Sequence, residues 1–320
     1  MAPKLWDMLH LLTTLTLLTQ LSSASSATRT PQVVLTQTPC GPRPPECVRG
    51  APHHSHITFS TPSEPHDFNI HHHNGTLERF TVPQSCHDYF ATLTPAPPPL
   101  FKSIPNGWIE SAGVYRMDPT NTIHSFDAQW TVPPAPIKPQ RPETLYYFIG
   151  LEDRTQGKLT TIHQPVLTWG DQTEGGLYDN EWHLWSWTCC PKNLTWHSPD
   201  IAGFNPGDTI YGEIVKMDAD TWKIQGGWQA TNGTWHNTTL ISEVGDFNYN
   251  YADVTLEVYN ITNCNQMVNG NVTFSNLHLT TDKGTKDWVP SMWYPSGFPN
   301  DCQTTLKINE EGRSMVIESQ

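Results

Sequence analysis

An amide and a carboxylate about ninety residues apart are the side chains of this sequence best suited to do chemistry together. Gln164 lies in the segment Thr160–Gly170 (TTIHQPVLTWG), and Asp253 lies in Phe247–Asn260 (FNYNYADVTLEVYN). A carboxylate can take a proton from a water molecule, and an amide N–H can stabilise an oxyanion. If both segments open into one groove, the two residues could activate water together, which makes a hydrolase a reasonable hypothesis.

The segment that carries Asp253 alternates in the way expected of a β-strand. One face of this strand would carry the apolar residues Ala252, Val254, Leu256 and Val258. The opposite face would carry Phe247, Tyr249, Tyr251, Asp253, Thr255, Glu257 and Tyr259. We therefore expect a strand that covers a core with one face and lines a groove with the other.

The chain from Pro105 onward consists of short strand-like segments separated by turn signals such as Asn205–Asp208 (NPGD). It contains no long amphipathic helix and no short repeat. About 200 residues of this kind are the right size for a single all-β domain. We predict a two-sheet antiparallel β-sandwich of the concanavalin A-like or jelly-roll type.

Composition divides the chain into four parts. Residues 1–27 combine an early lysine, an apolar run and a Ser/Ala stretch, which is typical of a secretory signal peptide. Residues 28–105 are rich in Pro, Ser, Thr and His and show no sustained periodicity, which predicts an irregular N-terminal region or pro-segment. The sandwich is expected over residues 106–310, with a C-terminal tail over 311–320.

Several features predict a secreted, extracellular glycoprotein. No segment after the signal peptide has the roughly 20 apolar residues of a membrane span, so no membrane association is expected. Seven cysteines in an oxidising compartment predict disulfides with one thiol left over. Adjacent Cys189 and Cys190 are expected to have separate partners, and Cys264 and Cys302 are candidates to pair with each other. The Asn-x-Ser/Thr glycosylation acceptors are Asn74, Asn193, Asn232, Asn237, Asn260 and Asn271.

Charge and motif content make other classes of function less probable. The net charge is −13 and the chain has no basic patch, so no nucleic-acid partner is expected. The histidine runs His53–His56 and His71–His73 lie among prolines and serines, which indicates a solvated, pH-sensitive linker rather than a zinc site. The sequence has neither an HExxH motif nor a Gly-x-Ser-x-Gly motif. We expect a monomer without metal or cofactor.

Six segments, in order, resemble those of the eqolisins, the fungal glutamic acid peptidases. The resemblance is distant, covers roughly residues 110–280, and depends on order and spacing more than on identity. The segments are Ser125–Pro133 (SFDAQWTVP), Tyr147–Asp153 (YFIGLED), Ile162–Gly170 (IHQPVLTWG), Glu181–Trp187 (EWHLWSW), Phe204–Ile214 (FNPGDTIYGEI) and Ala252–Glu257 (ADVTLE).

The resemblance implies a β-sandwich whose concave sheet binds an extended peptide, with a catalytic glutamine and glutamate. The glutamine matches Gln164, whereas the glutamate position holds Asp253, whose carboxylate is set back by roughly 1–1.5 Å. A misplacement of about 1 Å can reduce a rate on the order of 100-fold. Glu257 shares the face of Asp253, but it lies about 13 Å further along the strand and cannot act interchangeably in one site.

On this interpretation Asp253 is the general base, Gln164 stabilises the oxyanion, and activity is expected in acid. The acidic residue that the family has in its Trp-rich strand is replaced by Ser186. The partner would be a polypeptide substrate. The residues expected to line its groove are Trp169, Trp185, Trp187, Tyr251, Thr255 and Glu257.

Two other interpretations remain open from the sequence. An aromatic-lined sheet is also the architecture of lectin-like domains, so a non-catalytic carbohydrate-binding protein with a polysaccharide partner is the main alternative. A secreted surface or defence protein could also have kept the sandwich and lost the chemistry. In the first case Asp253 and Asn250 would hydrogen-bond sugar hydroxyls, and in the second Asp253 and Gln164 would be polar residues on the wet face of a sheet.

Overall fold

The computed structural model describes residues 35–61, 67–92, 106–115, 122–154, 161–170, 179–243, 247–286, 293–297, 300–309 and 311–319. The expected signal peptide, residues 1–27, lies outside these ranges. Among the described residues, no helix has both the length and the apolar character needed to cross a membrane.

The first of two sheets, here sheet 1, carries the segments of Gln164 and Asp253. Strands are numbered in chain order, and those of sheet 1 lie side by side in the order β1-β10-β9-β8-β7-β14-β5-β17. Their bounds are β1 Val48–Gly50, β5 Gly107–Tyr115, β7 Thr144–Asp153, β8 Thr161–Trp169, β9 Trp182–Cys189, β10 Thr195–His197, β14 Tyr251–Tyr259 and β17 Tyr294–Gly297.

Sheet 2 has the order β18-β19-β15-β6-β11-β12-β13-β2-β3-β4, and β16 pairs with β15. One α-helix, α1 (Gln84–Thr92), and short 3-10 turns at Pro45–Cys47, Pro191–Asn193 and Cys264–Gln266 complete the described elements. The strands of sheet 2 are β2 His56–Phe59, β3 Phe68–His71, β4 Leu77–Phe80, β6 Ile123–Thr131, β11 Thr209–Lys216, β12 Thr221–Gln229, β13 Trp235–Glu243, β15 Gly270–Thr281, β16 Gly284–Lys286, β18 Thr305–Ile308 and β19 Met315–Ser319.

The main core lies between the two sheets, which confirms the predicted all-β sandwich. The apolar face of β14 contributes to it as the alternation predicts, with Ala252, Val254, Leu256 and Val258 fully buried. A second apolar cluster lies on the opposite face of sheet 1, which we call the outer face. It consists of Tyr146, Phe148, Ile162, Val166, Trp185, Trp187 and Cys189.

The N-terminal region differs from the irregular segment expected over residues 28–105. Strand β1 pairs with β10 and β2 pairs with β13, so the region extends both sheets, and both pairings are parallel in a sandwich that is otherwise antiparallel in its described part. Phe68 and Phe80 pack edge-on against Trp196, at 5.3 and 6.0 Å between ring centroids. The prediction of an irregular region is therefore wrong for these residues, whereas removal of the region as a pro-segment stays a prediction.

The sandwich also continues beyond the expected boundary at residue 310. Strand β19 pairs with β15 and β18, and its side chains Met315 and Ile317 are buried in the core. The alternation of a strand is present in this segment, so the expected tail over residues 311–320 contains a core strand.

Three disulfides join the described cysteines, and one of them was predicted. Cys264 pairs with Cys302, as expected. Cys189 and Cys190 do not pair with each other: Cys189 is bonded to Cys40, and Cys190 is the free thiol. The third bond joins Cys47 to Cys86 in α1.

The glycosylation acceptors lie at the surface with one exception. Asn193 is half-buried, with its Nδ2 atom 3.0 Å from His87 Nδ1. Glycosylation of all six positions stays a prediction, and the exposed acceptors are Asn74, Asn232, Asn237, Asn260 and Asn271.

Candidate functional site

Gln164 and Asp253 lie in one row across the outer face of sheet 1. Asp253 is opposite Gly150 in the pairing of β14 with β7. Residues of β7 and β8 pair on both sides of Gly150, and continuing that register places Gly150 opposite Gln164. With strands about 4.8 Å apart, the two Cα atoms are separated by roughly 10 Å, with only a glycine between them.

Gly150 leaves room for the Asp253 carboxylate. A Cβ atom at position 150 would lie 2.8 Å from Asp253 Oδ2 and 3.0 Å from Oδ1. The carboxylate therefore extends over β7, toward the strand that carries Gln164. A larger residue at position 150 would displace the Asp253 carboxylate.

The Asp253 carboxylate is fully buried and only partly hydrogen-bonded. Thr255 Oγ1 lies 2.7 Å from Asp253 Oδ1 and 3.0 Å from Ser111 Oγ. Among the described residues, no donor meets hydrogen-bond geometry with Asp253 Oδ2. Burial raises the pKa of Asp253, against the lowering effects of Glu152, Arg154 and Thr255. A buried carboxyl with a raised pKa is suited to hold a proton taken from water.

Glu152 is a second buried carboxyl at the site, and the sequence analysis missed it. It lies two residues beyond Gly150 on the same face of β7 and is opposite Tyr251. Its Oε1 atom accepts a hydrogen bond from Arg154 Nη2 at 2.9 Å. Burial and then the charge of Asp253 raise the pKa of Glu152 well above its ordinary value, although Arg154 lowers it. The two carboxyls therefore titrate as a pair.

A signal for Glu152 was present in the sequence. Strand β7 (TLYYFIGLED) is buried along its whole length, and a carboxyl inside such a strand needs a specific partner. Arg154, two residues later, provides that partner, and its guanidinium also lies 3.8 Å from the centroid of the Tyr251 ring.

Gln164 is fully buried against the N-terminal segment of the chain. Its amide Nε2 donates to the carbonyl oxygen of Pro39 at 3.2 Å and lies 3.4 Å from Cys40 Sγ. No described donor contacts Gln164 Oε1. The disulfide between Cys40 and Cys189 holds the segment against β9, the strand next to β8.

Glu257 belongs to a different row of the outer face. It is opposite Tyr146, whereas Asp253 is opposite Gly150. Burial raises the pKa of Glu257 to about 8, although the Tyr259 hydroxyl, which donates a hydrogen bond to it, lowers that pKa. Glu257 is thus a buried neutral acid at neutral pH, and Asp253 is the carboxyl in the row of Gln164.

Most of the residues expected to line the groove lie on the outer face, but Trp169 does not. Trp185, Trp187, Tyr251 and Thr255 share that face, and Trp187 is directly opposite Gln164. Trp169 points into the core between the sheets, where its Nε1 atom donates to Glu143 at 3.2 Å. The prediction for Trp169 is wrong because Trp169 lies five positions after Gln164, and an odd offset on an alternating strand places two side chains on opposite faces.

The described residues offer little that could hold a metal ion. Their one convergent group is formed by the sulfurs of Cys40, Cys189 and Cys190, which lie within 4.8 Å of one another. Two of these sulfurs are already bonded to each other.

Comparison with solved structures finds similar folds among glutamic peptidases. Two are structures of scytalido-glutamic peptidase, one with a peptide-based transition state analog and one with a transition state analog inhibitor, at 13% and 14% identity and a TM-score of 0.49 each. Another is SCP-B, a member of the eqolisin family of peptidases in complex with the tripeptide Ala-Ile-His, at 12% identity and a TM-score of 0.47. Each match covers 68% of this chain and 100% of the solved one.

The distant resemblance to eqolisins inferred from the sequence is thus also found by comparing structures. No protein-family model matches the chain, and no curated protein matches it.

Proposed function

We propose that this protein is a secreted acid endopeptidase in which Asp253 and Gln164 activate water for hydrolysis of a peptide bond. The observation that supports this most directly is the row formed by Gln164, Gly150 and Asp253. It brings an amide donor and a buried carboxylate to one face with only a glycine between them, so that the amide could meet a substrate carbonyl oxygen while the carboxylate meets a water molecule.

Each residue has a separate role in the proposed reaction. The ionised carboxylate of Asp253 takes a proton from water, whose oxygen then adds to the carbonyl carbon of the substrate. The amide Nε2 of Gln164 donates to the developing oxyanion, which can contribute up to about 3–4 kcal/mol. Asp253 then returns the proton to the leaving amine. Glu152 contacts neither water nor substrate in this scheme and acts by positioning Asp253 and sharing its charge.

The carboxyl pair supports activity in acid. Burial raises the pKa values of both Asp253 and Glu152, so the pair keeps one proton to a higher pH than two isolated carboxyls would. Hydrolysis requires one ionised member, and it is expected to fail below the first ionisation of the pair. We expect the rate to rise as the pH increases through the first ionisation of the pair.

A carbohydrate-binding role is supported less well. The burial of Trp185 and Trp187 on the outer face does not separate the two roles, because Gln164 and Asp253 are just as buried. A carbohydrate-binding role, however, gives no reason for the buried carboxyl pair. We therefore do not propose it.

The test is cleavage of a denatured protein from pH 2 to 7 by the secreted full-length protein. Because the N-terminal segment covers Gln164, the assay is run with and without a phosphine reductant. We expect acid-dependent cleavage that falls at least 100-fold in Asp253→Asn and at least 10-fold in Gln164→Ala. Asp127→Asn, the same change on sheet 2, should keep full activity. Absence of cleavage by folded wild type in both conditions would exclude the proposed peptidase.

A further inference from the structure

A hairpin of the N-terminal segment lies on the proposed site, and the inference drawn from it rests on the proposed function. Thr36 N donates to Arg43 O at 2.7 Å, and Arg43 N donates to Thr36 O at 2.8 Å. The tip is closed by Gly41 N, which donates to Thr38 O at 3.0 Å, and Gly41 has the positive φ of 92° that favours glycine. We call residues 36–43 the covering hairpin.

The tip of the covering hairpin presents a peptide carbonyl to Gln164. The carbonyl oxygen of Pro39 accepts the hydrogen bond from Gln164 Nε2. In the proposed reaction, this amide donates to the oxygen of the bond that is hydrolysed. The carbonyl of the Pro39–Cys40 peptide bond thus makes the contact expected of a substrate, and Pro39 itself is buried there.

The covering hairpin also extends across several strands of the outer face of sheet 1. Cys40 is bonded to Cys189 on β9, on one side of Gln164. On the other side, the Cβ position of Gly41 is 3.6 Å from the Tyr259 hydroxyl on β14. The charge of Arg43 contributes to the environment of Glu257, also on β14. The hairpin therefore spans the strands that carry the amide and the carboxylate.

The base of the hairpin is anchored separately on α1. The Tyr89 hydroxyl donates to Pro42 O at 2.7 Å, and the Arg43 guanidinium lies 4.7 Å from the centroid of the Phe90 ring. The Cys47–Cys86 disulfide joins the following turn to the same helix. These contacts hold the end of the hairpin in place, while the Cys40–Cys189 bond holds its tip on the site.

We propose that the covering hairpin is a built-in inhibitor, which occupies the peptide site with the Pro39 carbonyl in place of a substrate carbonyl. The Cys40–Cys189 bond is the fastening that keeps it there. Because the bond makes binding of the tip intramolecular, the effective concentration of the tip at the site is high, and a free peptide competes poorly. Opening the site requires reduction of this bond, in which an external dithiol or phosphine supplies two electrons and the two cysteines become thiols.

Cys190 has to be controlled for in any test of the fastening. Its sulfur lies within 4.8 Å of both sulfurs of the Cys40–Cys189 bond. If Cys189 is replaced, Cys190 is therefore close enough to form a disulfide with Cys40 instead. All variants are for this reason made in a Cys190→Ser background.

The experiment compares two double variants of the full-length protein in that background. Cys40→Ser with Cys189→Ser removes the fastening, and Cys264→Ser with Cys302→Ser removes a disulfide elsewhere. Hydrogen exchange of peptides that contain Gly41 and Arg43 is measured first, because it does not depend on activity. We expect at least 10-fold faster exchange at these amides only when the fastening is lost. Cleavage of a denatured protein in acid is measured second, and it should rise at least 10-fold in the same variant alone.

Each result has a distinct meaning. Equal exchange in both double variants would show that the bond does not hold the hairpin, which would overturn the inference. Equal cleavage by the fastened and unfastened proteins would overturn it as well, while supporting the peptidase. Faster exchange without cleavage by any form would instead overturn the proposed peptidase and the inhibitory role with it. If the unfastened variant does not fold, brief phosphine treatment of the folded Cys190→Ser protein replaces it, with disulfide mapping to identify the reduced bond.

Discussion

At position 150, the absence of a side chain leaves the carboxylate of Asp253 free to extend over strand β7. Glycine is required here for space rather than for backbone conformation, because a Cβ atom would lie 2.8 Å from both Asp253 Oδ2 and Ile162 Cδ1. The glycine therefore lets the short side chain of Asp253 extend toward Gln164.

Gly150→Ala should therefore impair activity by displacing the Asp253 carboxylate. A displacement of about 1 Å is expected to reduce kcat/KM by roughly 10- to 100-fold. The matched control is Gly227→Ala on β12, where the nearest atom to an added Cβ is 3.5 Å away. The measurement is kcat/KM in acid, with both substitutions made in the protein that carries Cys40→Ser, Cys189→Ser and Cys190→Ser. The urea midpoint of each variant is measured alongside. Equal losses of activity in both variants would show that the space at Gly150 has no special role.

At the scale of elements, the N-terminal strands are part of the sandwich. Strands β1 and β2 cover the edges of β10 and β13, and Phe68 and Phe80 cover Trp196. Burial of one phenylalanine side chain contributes about 1.5–3 kcal/mol. An uncovered strand edge also offers a template for association with other chains. Removal of these strands would therefore affect both stability and solubility.

We expect a chain that lacks residues 28–92 to unfold several kcal/mol more easily than the full chain and to aggregate. Cutting the chain at a protease site inserted within residues 93–105 is the matched control, because the Cys40–Cys189 bond keeps the N-terminal part attached. The cut protein should keep its urea midpoint and its elution volume in size-exclusion chromatography. A shortened chain as stable and monomeric as the full one would contradict this account.

The sequence predicted those elements whose alternation is long and regular. The nine residues of β14 show which side chains meet the core, and the structure confirms this assignment. Strands β2, β3 and β4 have only four residues each, among histidines and prolines, and the neighbours that stabilise them are distant in sequence. Alternation over so few residues is a weak signal. Pairing with a distant edge cannot be seen from one sequence.

The candidate site was predictable only in part for a related reason. The alternation of β8 places Gln164 and Trp169 on opposite faces of the sheet. Trp169 was nevertheless assigned to the groove because it is aromatic, whereas the structure places it in the core. The position of Glu152 depends on the register between β7 and β14, which the sequence does not contain. The covering hairpin depends on which cysteine Cys40 bonds, and spacing alone does not determine disulfide connectivity.

At the scale of the whole molecule, buried groups on the two faces of sheet 1 make stability depend on pH in opposite directions. On the outer face, burial raises the pKa of Glu257 from 4.5 to about 8. In the core, burial lowers the pKa of His163 from 6.5 to about 3. The His163 ring stacks on Tyr249 at 4.3 Å, and neither of its nitrogens has a hydrogen-bond partner among the described residues.

The sign of each effect follows from which state binds more protons. The stability that Glu257 contributes is fully present below pH 4.5 and is lost as the pH rises to about 8. The stability that His163 contributes is present above pH 6.5 and is lost as the pH falls toward 3. Each group changes the free energy of unfolding by about 1.4 kcal/mol per pH unit within its window. The raised pKa values of Glu152, Asp253 and His183 act in the same direction as Glu257.

Between pH 4.5 and 6.5 the effects of Glu257 and His163 on stability oppose each other. The other groups with raised pKa values make the folded protein more stable at the lower end of this range. We therefore expect the highest urea midpoint near pH 4.5, with losses toward both pH 3 and pH 8. Glu257→Gln should reduce the loss between pH 6.5 and 8, and His163→Phe, which keeps a ring against Tyr249, should reduce the loss between pH 4.5 and 3. Glu311→Gln, at an exposed carboxyl, is the control and should follow the wild-type curve. Parallel curves of urea midpoint against pH for wild type and Glu257→Gln would mean that Glu257 does not titrate in this range. A maximum of the urea midpoint in acid would instead match the stability of the protein to the pH at which the proposed peptidase works.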